Sequence, residues 1–543
     1  MIYGIAGIAC LILRWLWDVA DPIAITDFKG VFYFREIVTL LPAFLFFYRA
    51  FLHSAAPEKR IVPYAKKQWI FLSLLVIFLL TLSIQLFIYQ GPQVRDEACY
   101  LFQAKTFAAL KLWAPAPQKA ADSFLFPYTL VKDEKWFGIF FPGTAFIFLF
   151  GIWLKLLPAI NPLLTAALTA MVYGIAKKWF NRQIAFYTLI LMILSPFVLQ
   201  QGASYFGHIA ASMFFVPAAY LLIEYVGKDK RAILCSGFLS GVLMLFRPLS
   251  AVVLLVFSMM LLFKRPEKIK SFGRLLPEWF LYLLAFLPGL GLLFLYNKLM
   301  TGSFLLTPHQ LYFGDPPLQL GWHIFKNFAA NLFVLSFDLF GVPLFSLLPL
   351  LFVFKKPNRR IVRPVLVLSL INILAYSFYS YHGVSYGPRF LFEITPFLII
   401  LSGYGLVRLA EIKRPACRSP FSFLNGILVT AAIIVFAGYL PCRLLLYHQR
   451  GDYYTLPKHL FDIDKPAIVV ITADEEKKVT PYIAGFKHND TGLENDILFA
   501  RDLDEKNDLL LRKFPRHHHF CYNLSTRTLL LFPFQDVCWN EAP

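Results

Sequence analysis

Residues 69–107 read WIFLSLLVIFLLTLSIQLFIYQGPQVRDEACYLFQAKTF. The stretch 69–90 carries no charge, and a helix needs about 20 mainly apolar residues to cross a bilayer. Gly91-Pro92 ends that run, and a second helical pattern follows, with Tyr100, Leu101, Ala104, Phe107 and Ala108 on one stripe. Such a stripe suits a helix lying on the membrane surface. Asp96 and Glu97 open it, at the end where the helix dipole favours carboxylates. A spanning run followed at once by an acid-headed surface helix makes the chain helical and membrane-embedded.

The rest of the chain agrees. Of 543 residues, 58% are hydrophobic and only 16% charged, where a soluble domain carries roughly a quarter as charge. That excludes a cytosolic multidomain enzyme, a disordered chain and a fibrous repeat. Further apolar runs lie near 31–52, 138–157, 160–176, 183–201, 205–226, 231–246, 249–263, 276–297, 327–354, 364–381, 389–408 and 421–446. A weaker run at 1–17 reads as an anchor, since no cleavage pattern follows it. The expected fold is an all-α polytopic membrane protein of about 11–14 transmembrane helices with a small C-terminal extracytoplasmic α/β domain. Its divisions are N-terminal anchor segments at 1–68, a transmembrane module at 69–446 with an outer loop at 91–137, and the terminal domain at 447–543.

The net charge of +19 is unevenly spread. Residues 447–543 hold 12 basic and 15 acidic residues, so the excess lies among the apolar runs. There it marks cytoplasmic loops rather than a nucleic-acid face, and nucleic acid is excluded as a partner. The loops 177–182, 228–231, 264–274, 355–363 and 408–418 hold 20 basic residues, whereas the intervening loops hold only Arg247, Lys298 and Arg389. The positive-inside rule puts the intervening loops, and everything after 446, on the outer face. Lys59, Arg60, Lys66 and Lys67 place the start of 69–90 inside, so loop 91–137 is outer too. One count then conflicts: an odd number of crossings must join 137 to 177, yet two runs are present there. Either one is re-entrant or peripheral, or a further crossing lies elsewhere.

In the tail, AIVVIT (467–472), DILFARDL (496–503) and the region of HHFCYNL (518–524) read as strands, and DEKNDLLLRKF (504–514) as a helix. Seven scattered cysteines show no zinc spacing, although Cys521 and Cys538 could pair in an outer tail. His517, His518 and His519 would alternate faces on a strand and cannot converge on one ion.

Ionisable groups on the outer side are the functional candidates, because charge near the membrane is costly. Asp96 and Glu97 form a carboxylate pair that could deprotonate or bind an acceptor hydroxyl, each raising the other's proton affinity. A lipid phosphate needs fixed cations, and Arg389 and Arg247 are outer arginines in a segment otherwise nearly empty of outer basic charge. Snorkelling to headgroups is the bland alternative for both. Lys105 and Lys111 are weaker candidates that could simply touch lipid phosphates. His208 follows Gly207 at the start of a crossing, and Tyr381, His382 and Tyr386 flank the Arg389 loop where they could stack on a sugar. Tyr205, beside His208, is a further substrate-binding candidate. Loop 298–324 is long, polar and turn-rich, in the manner of acceptor-binding loops.

The order RDEACYLFQAKTF (95–107), WFGIFFPGTAFIF (136–148), SPFVLQQGASYFGHIAAS (195–212), SGVLMLFRPLS (240–250) and YGPRFLFEITPFL (386–398) resembles the bacterial GT-C glycosyltransferases of the protein O-mannosyltransferase and aminoarabinose transferase type. The likeness runs over 69–446. It implies a sugar donor carried on polyprenyl phosphate, an extracytoplasmic acceptor (glycan, lipid or protein) and inversion at the anomeric carbon. It further implies a bacterial inner (plasma) membrane setting with the active site on the periplasmic face. Asp96 matches the acid proposed there as base or acceptor ligand, and Glu97 its partner. His208 stands where members often carry an acid, so a divalent metal is the one cofactor left open, with no residue assigned to it. The competing class is a polytopic transporter or lipid flippase, which should show internal repeats and mid-membrane charge. No repeat is visible, and Asp338 is the chief mid-membrane charge.

Overall fold

The computed structural model describes residues 2–20, 30–54, 67–117, 121–263, 272–314, 318–355, 357–381, 383–411, 420–472, 482–504, 507–524 and 526–531. The chain is a multi-pass membrane protein. Among the described residues, six helices are long and apolar enough to cross a membrane: Lys67–Tyr89, Leu157–Trp179, His208–Tyr225, Leu276–Thr301, Arg359–Ser377 and Phe423–His448. A seventh counts if the pair Arg182–Ile193 and Pro196–Ala203, bent by 59°, is one broken span. The bend has a local cause: Pro196 cannot continue the ladder, and Ser195 caps the new helix by accepting from Val198 N.

Among the described residues other apolar runs form shorter helices, Ile2–Trp17, Pro142–Trp153, Pro248–Leu261 and Thr395–Ala410. One of these bears on the crossing conflict between 137 and 177. The run 138–157 yields only Pro142–Trp153, about 18 Å long at 1.5 Å per residue, against a hydrocarbon core of about 30 Å. It is the short member of the two and packs against the helix Arg95–Ala108.

Helices close up where small residues allow it. A Cβ at Gly289 would collide with the Gly241 carbonyl, and one at Gly237 with that of Tyr282. The backbones of Lys230–Leu243 and Phe272–Thr301 therefore touch directly, as small-residue interfaces in membranes do.

The tail forms the expected α/β unit. Ala467–Thr472 pairs in parallel with Ile497–Arg501 on one side and His518–Asn523 on the other, and Thr528–Leu531 adds an antiparallel edge. Asn507–Lys513 is the connecting helix. All six residues of the central strand are buried, as befits a parallel strand covered on both faces. One face, with Val469, Ile471, Phe499, Phe520 and Tyr522, closes over Leu456 and Leu460. The other, with Ile468, Val470, Leu498 and Ala500, packs onto Ala98, Cys99 and Phe102 of the helix Arg95–Ala108 and onto Trp136. Cys538 lies outside the described residues.

This packing corrects the reading of Arg95–Ala108 as a membrane-surface helix. Its predicted stripe, Tyr100, Leu101, Ala104 and Phe107, does enter the transmembrane core, but the opposite face is covered by the sheet. The helix is a buried spacer between the two domains, seated beside the hairpin Thr129–Lys132 and Lys135–Gly138.

Candidate active site

The helix Arg95–Ala108 begins after Val94, whose extended backbone leaves the first turn's N–H groups open. The Glu97 carboxylate folds back over the residues just before that turn. Oε2 accepts from Gln93 N (2.7 Å), Val94 N (3.2 Å) and the Tyr386 hydroxyl (3.2 Å), while Oε1 accepts from Tyr205 N (2.8 Å). One side chain thus ties the helix start to the loops at 205 and 386. Burial pushes its carboxyl up to about 7, against the pull of those donors. Asp96, one residue earlier, turns the other way into a cavity of about 1100 Å³ that Glu97 does not line. Neighbours in a helix are rotated by about 100° and do not face each other, which corrects the expectation that the two acids act as a pair.

In the cavity Arg389 Nη1 donates to Asp96 Oδ2 at 3.1 Å. The guanidinium is largely buried and framed by the rings of Phe206, Phe390 and Tyr381, at 4.6, 5.4 and 5.9 Å. Its Nε has no hydrogen-bond partner among the described residues. The loop that delivers it turns through Gly383, Tyr386 and Gly387 at φ of 72°, 51° and 97°. Arg247 lines the same cavity. Its Nε meets the Tyr376 hydroxyl at 3.1 Å and Glu393 Oε1 at 2.9 Å, and Nη1 lies 3.3 Å from His208 Nε2. The other ring nitrogen of His208 is 3.5 Å from Glu393 Oε1. Tyr376 is itself held by Ser250 at 2.7 Å. The result is a polar wall in which two arginines face the void and one fully buried glutamate stands behind Arg247.

Residues 140–291 match the family model described as dolichyl-phosphate-mannose-protein mannosyltransferase. The structure is similar to that of ArnT from Cupriavidus metallidurans bound to undecaprenyl phosphate, with TM-score 0.52, 14% identity, and coverage of 85% of this chain and 91% of that one. The chain has the GT-C fold. The apo state of the same ArnT gives TM-score 0.51 and 12% identity over 84% of this chain and 93% of that chain. No curated protein sequence matches this one.

Within this GT-C fold the sequence candidates separate. Asp96, Arg389, Arg247, His208 and Tyr386 all line the cavity. Lys105 does not: its Nζ donates to the carbonyls of Lys487 (2.7 Å) and Asn489 (2.8 Å) in the terminal domain. Burial there lowers its amine to about 8, with Asp490 pulling the other way. Its reading as a phosphate ligand gives way to that of an interface pin. Tyr205 is likewise outside the lining, its ring against Phe148 and its N–H spent on Glu97. Its expected contact with substrate is replaced by a structural one. His382 lies outside the described residues.

Glu393 was missed. The signal was present in FLFEITPF (390–397), where a lone acid interrupts an apolar run. Loop 298–324 contributes the helix Pro308–Phe313, capped by Thr307 and Gln310, which sets His309 and Phe313 on the cavity wall. Burial lowers the His309 imidazole, while the charge of Asp96 raises it. Among the described residues no three His, Cys, Asp or Glu side chains converge on a point. The two acids by the arginines, Asp96 and Glu393, each face a guanidinium. Asp338, the charge a carrier would use, is bound by Arg443 and the Tyr439 hydroxyl.

Proposed function

We propose that this chain is an integral-membrane glycosyltransferase that moves a sugar from a polyprenyl-phosphate donor to an extracytoplasmic acceptor hydroxyl. The observation that carries the reading is the single cavity shared by Asp96, its partner Arg389 and Arg247. That ArnT binds undecaprenyl phosphate supports a lipid phosphate as the donor's carrier.

Arg247 and Arg389 hold the donor phosphate through charge-assisted N–H bonds, which strengthen as charge grows on the leaving oxygen. Aromatic frames hold both guanidiniums, with Glu393 behind Arg247 and Asp96 beside Arg389, before substrate arrives, so little reorganisation is left for the reaction. Asp96 accepts the proton of the acceptor hydroxyl. The freed oxygen bonds to the anomeric carbon from the face away from the phosphate, the bond from carbon to phosphate oxygen breaks with its electron pair on the phosphate, and the anomeric centre inverts. The low count of outer cations makes two converging arginines unusual for snorkelling residues, and the periplasmic face of a bacterial inner membrane is the site this orientation supports.

Mass spectrometry of cell-envelope glycans and glycoproteins, with and without this chain, tests the reading. Loss of one hexose, pentose or aminosugar from a defined acceptor is expected. An unchanged glycan profile together with altered transport of a small solute would favour a carrier.

A further inference from the structure

The cavity has a second polar end that the reaction above leaves unused. Tyr33, Asp338 and Arg443 line it, together with Tyr386 and Gly387. Asp338 is 1% exposed. Among the described residues its Oδ1 takes the polar contacts: the Tyr439 hydroxyl donates to it, and Arg443 Nη2 reaches it at 3.2 Å. Arg443 is balanced in turn by Glu36, 3.6 Å from its Nε. Oδ2 accepts no hydrogen bond among the described residues and faces Gly387, where a Cβ would lie only 3.0 Å from it. Asp338 lines the cavity, and a residue without a Cβ is what fits against this oxygen.

A buried carboxylate oxygen without a donor is costly and calls for one. The donor cannot be the lipid phosphate, which like charge repels from Asp338 and Glu36. Arg389 is two residues from Gly387 in the chain and lines the same cavity as Asp338, so a sugar whose phosphate is held by the arginine has this carboxylate within the same void. We propose that Asp338 Oδ2 accepts a hydrogen bond from a ring hydroxyl of the sugar being transferred, and so selects which sugar is used. The proposal rests on the glycosyl-transfer reading. It gives the mid-membrane charge of the sequence a role other than transport.

A site built to bond a hydroxyl discriminates against analogues that lack it. The test uses full-length protein in lipid nanodiscs and measures binding of undecaprenyl phosphate, of its glucosyl, galactosyl, mannosyl and arabinosyl conjugates, and of the monodeoxy forms of whichever binds tightest. Wild type should lose about 10- to 100-fold in affinity on one deoxy analogue, as expected for a bond to a charged group. Asp338→Ala should lose the same factor on the parent sugar and no more on the deoxy form, with bare undecaprenyl phosphate bound as by wild type. Asp338→Asn keeps the side-chain volume beside Arg443 and should lose part of that factor, which covers the case in which the alanine variant does not fold. Equal weakening of bare lipid phosphate and glycosylated lipid would make Asp338 structural and overturn the proposal, as would full additivity with every deoxy sugar. Failure of wild type to bind any polyprenyl phosphate would instead sink the transferase reading, and this inference with it.

Discussion

Glu393 Oε1 lies 2.9 Å from Arg247 Nε while the whole Glu393 side chain is shut off from the cavity that Arg247 lines. The acid therefore acts on substrate only through the arginine. Replacing it by Gln keeps the shape and removes the counter-charge of a buried pair. Breaking such a pair costs about 3–5 kcal/mol. Glu393→Gln should raise the donor KM at least tenfold and lower the melting temperature, with Glu393→Asp restoring part of the KM; an unchanged KM for Glu393→Gln would remove Glu393 from the positioning role.

Glu97 gives a pH signature. An unfolded glutamate ionises near 4.5, the folded one near 7, so the folded protein binds the extra proton between those values. Its contribution to stability is full below about 4.5 and declines as pH rises to about 7. Wild type should lose more melting temperature between pH 5 and pH 8 than Glu97→Gln does. Parallel pH profiles of the two proteins would contradict this.

Phe102 joins the domains. It packs on Trp136 at 4.4 Å and on Phe126 at 5.6 Å, in the cluster shared with the terminal sheet. Phe102→Ala should cost about 3–5 kcal/mol through the cavity left behind, read as a fall in thermal stability. Because the same helix carries Asp96, turnover should fall with it.

Gly387 has φ of 97°, and a Cβ there would sit 2.5 Å from the Phe197 ring and 3.0 Å from Asp338 Oδ2. Gly387→Ala combines backbone strain of about 1–3 kcal/mol with these clashes and shifts Arg389. Turnover should fall by at least tenfold while membrane insertion is unaffected, as assayed by transfer kinetics and by extraction of the protein from membranes.

Much of this was legible in the sequence, and the exceptions have physical causes. AIVVIT was readable because a central parallel strand is apolar on both faces. The helix Arg95–Ala108 was readable from its 3.6-residue period, and Arg389 and Arg247 stood out because outer cations are scarce. What period and composition do not carry is what covers the second face of an amphipathic helix. Cys99 and Phe102 meet a sheet some 370 residues further along the chain, so a buried helix passed for a surface one and Lys105 for a lipid ligand. The divergence of Asp96 and Glu97 follows from helical rotation, yet Glu97's partners at 205 and 386 appear only in three dimensions. Glu393 was visible as an acid in an apolar run, but its link to Arg247 spans 146 residues of chain.

The most direct measurement is transfer of radiolabelled sugar from undecaprenyl phosphate to envelope acceptors by purified protein, wild type against Asp96→Asn. The amide keeps the size of the side chain and its place beside Arg389 but cannot take a proton, and loss of a positioned general base removes about 10²–10⁴-fold in rate. The account predicts a loss in that range with donor binding retained. Wild-type turnover by Asp96→Asn would contradict it.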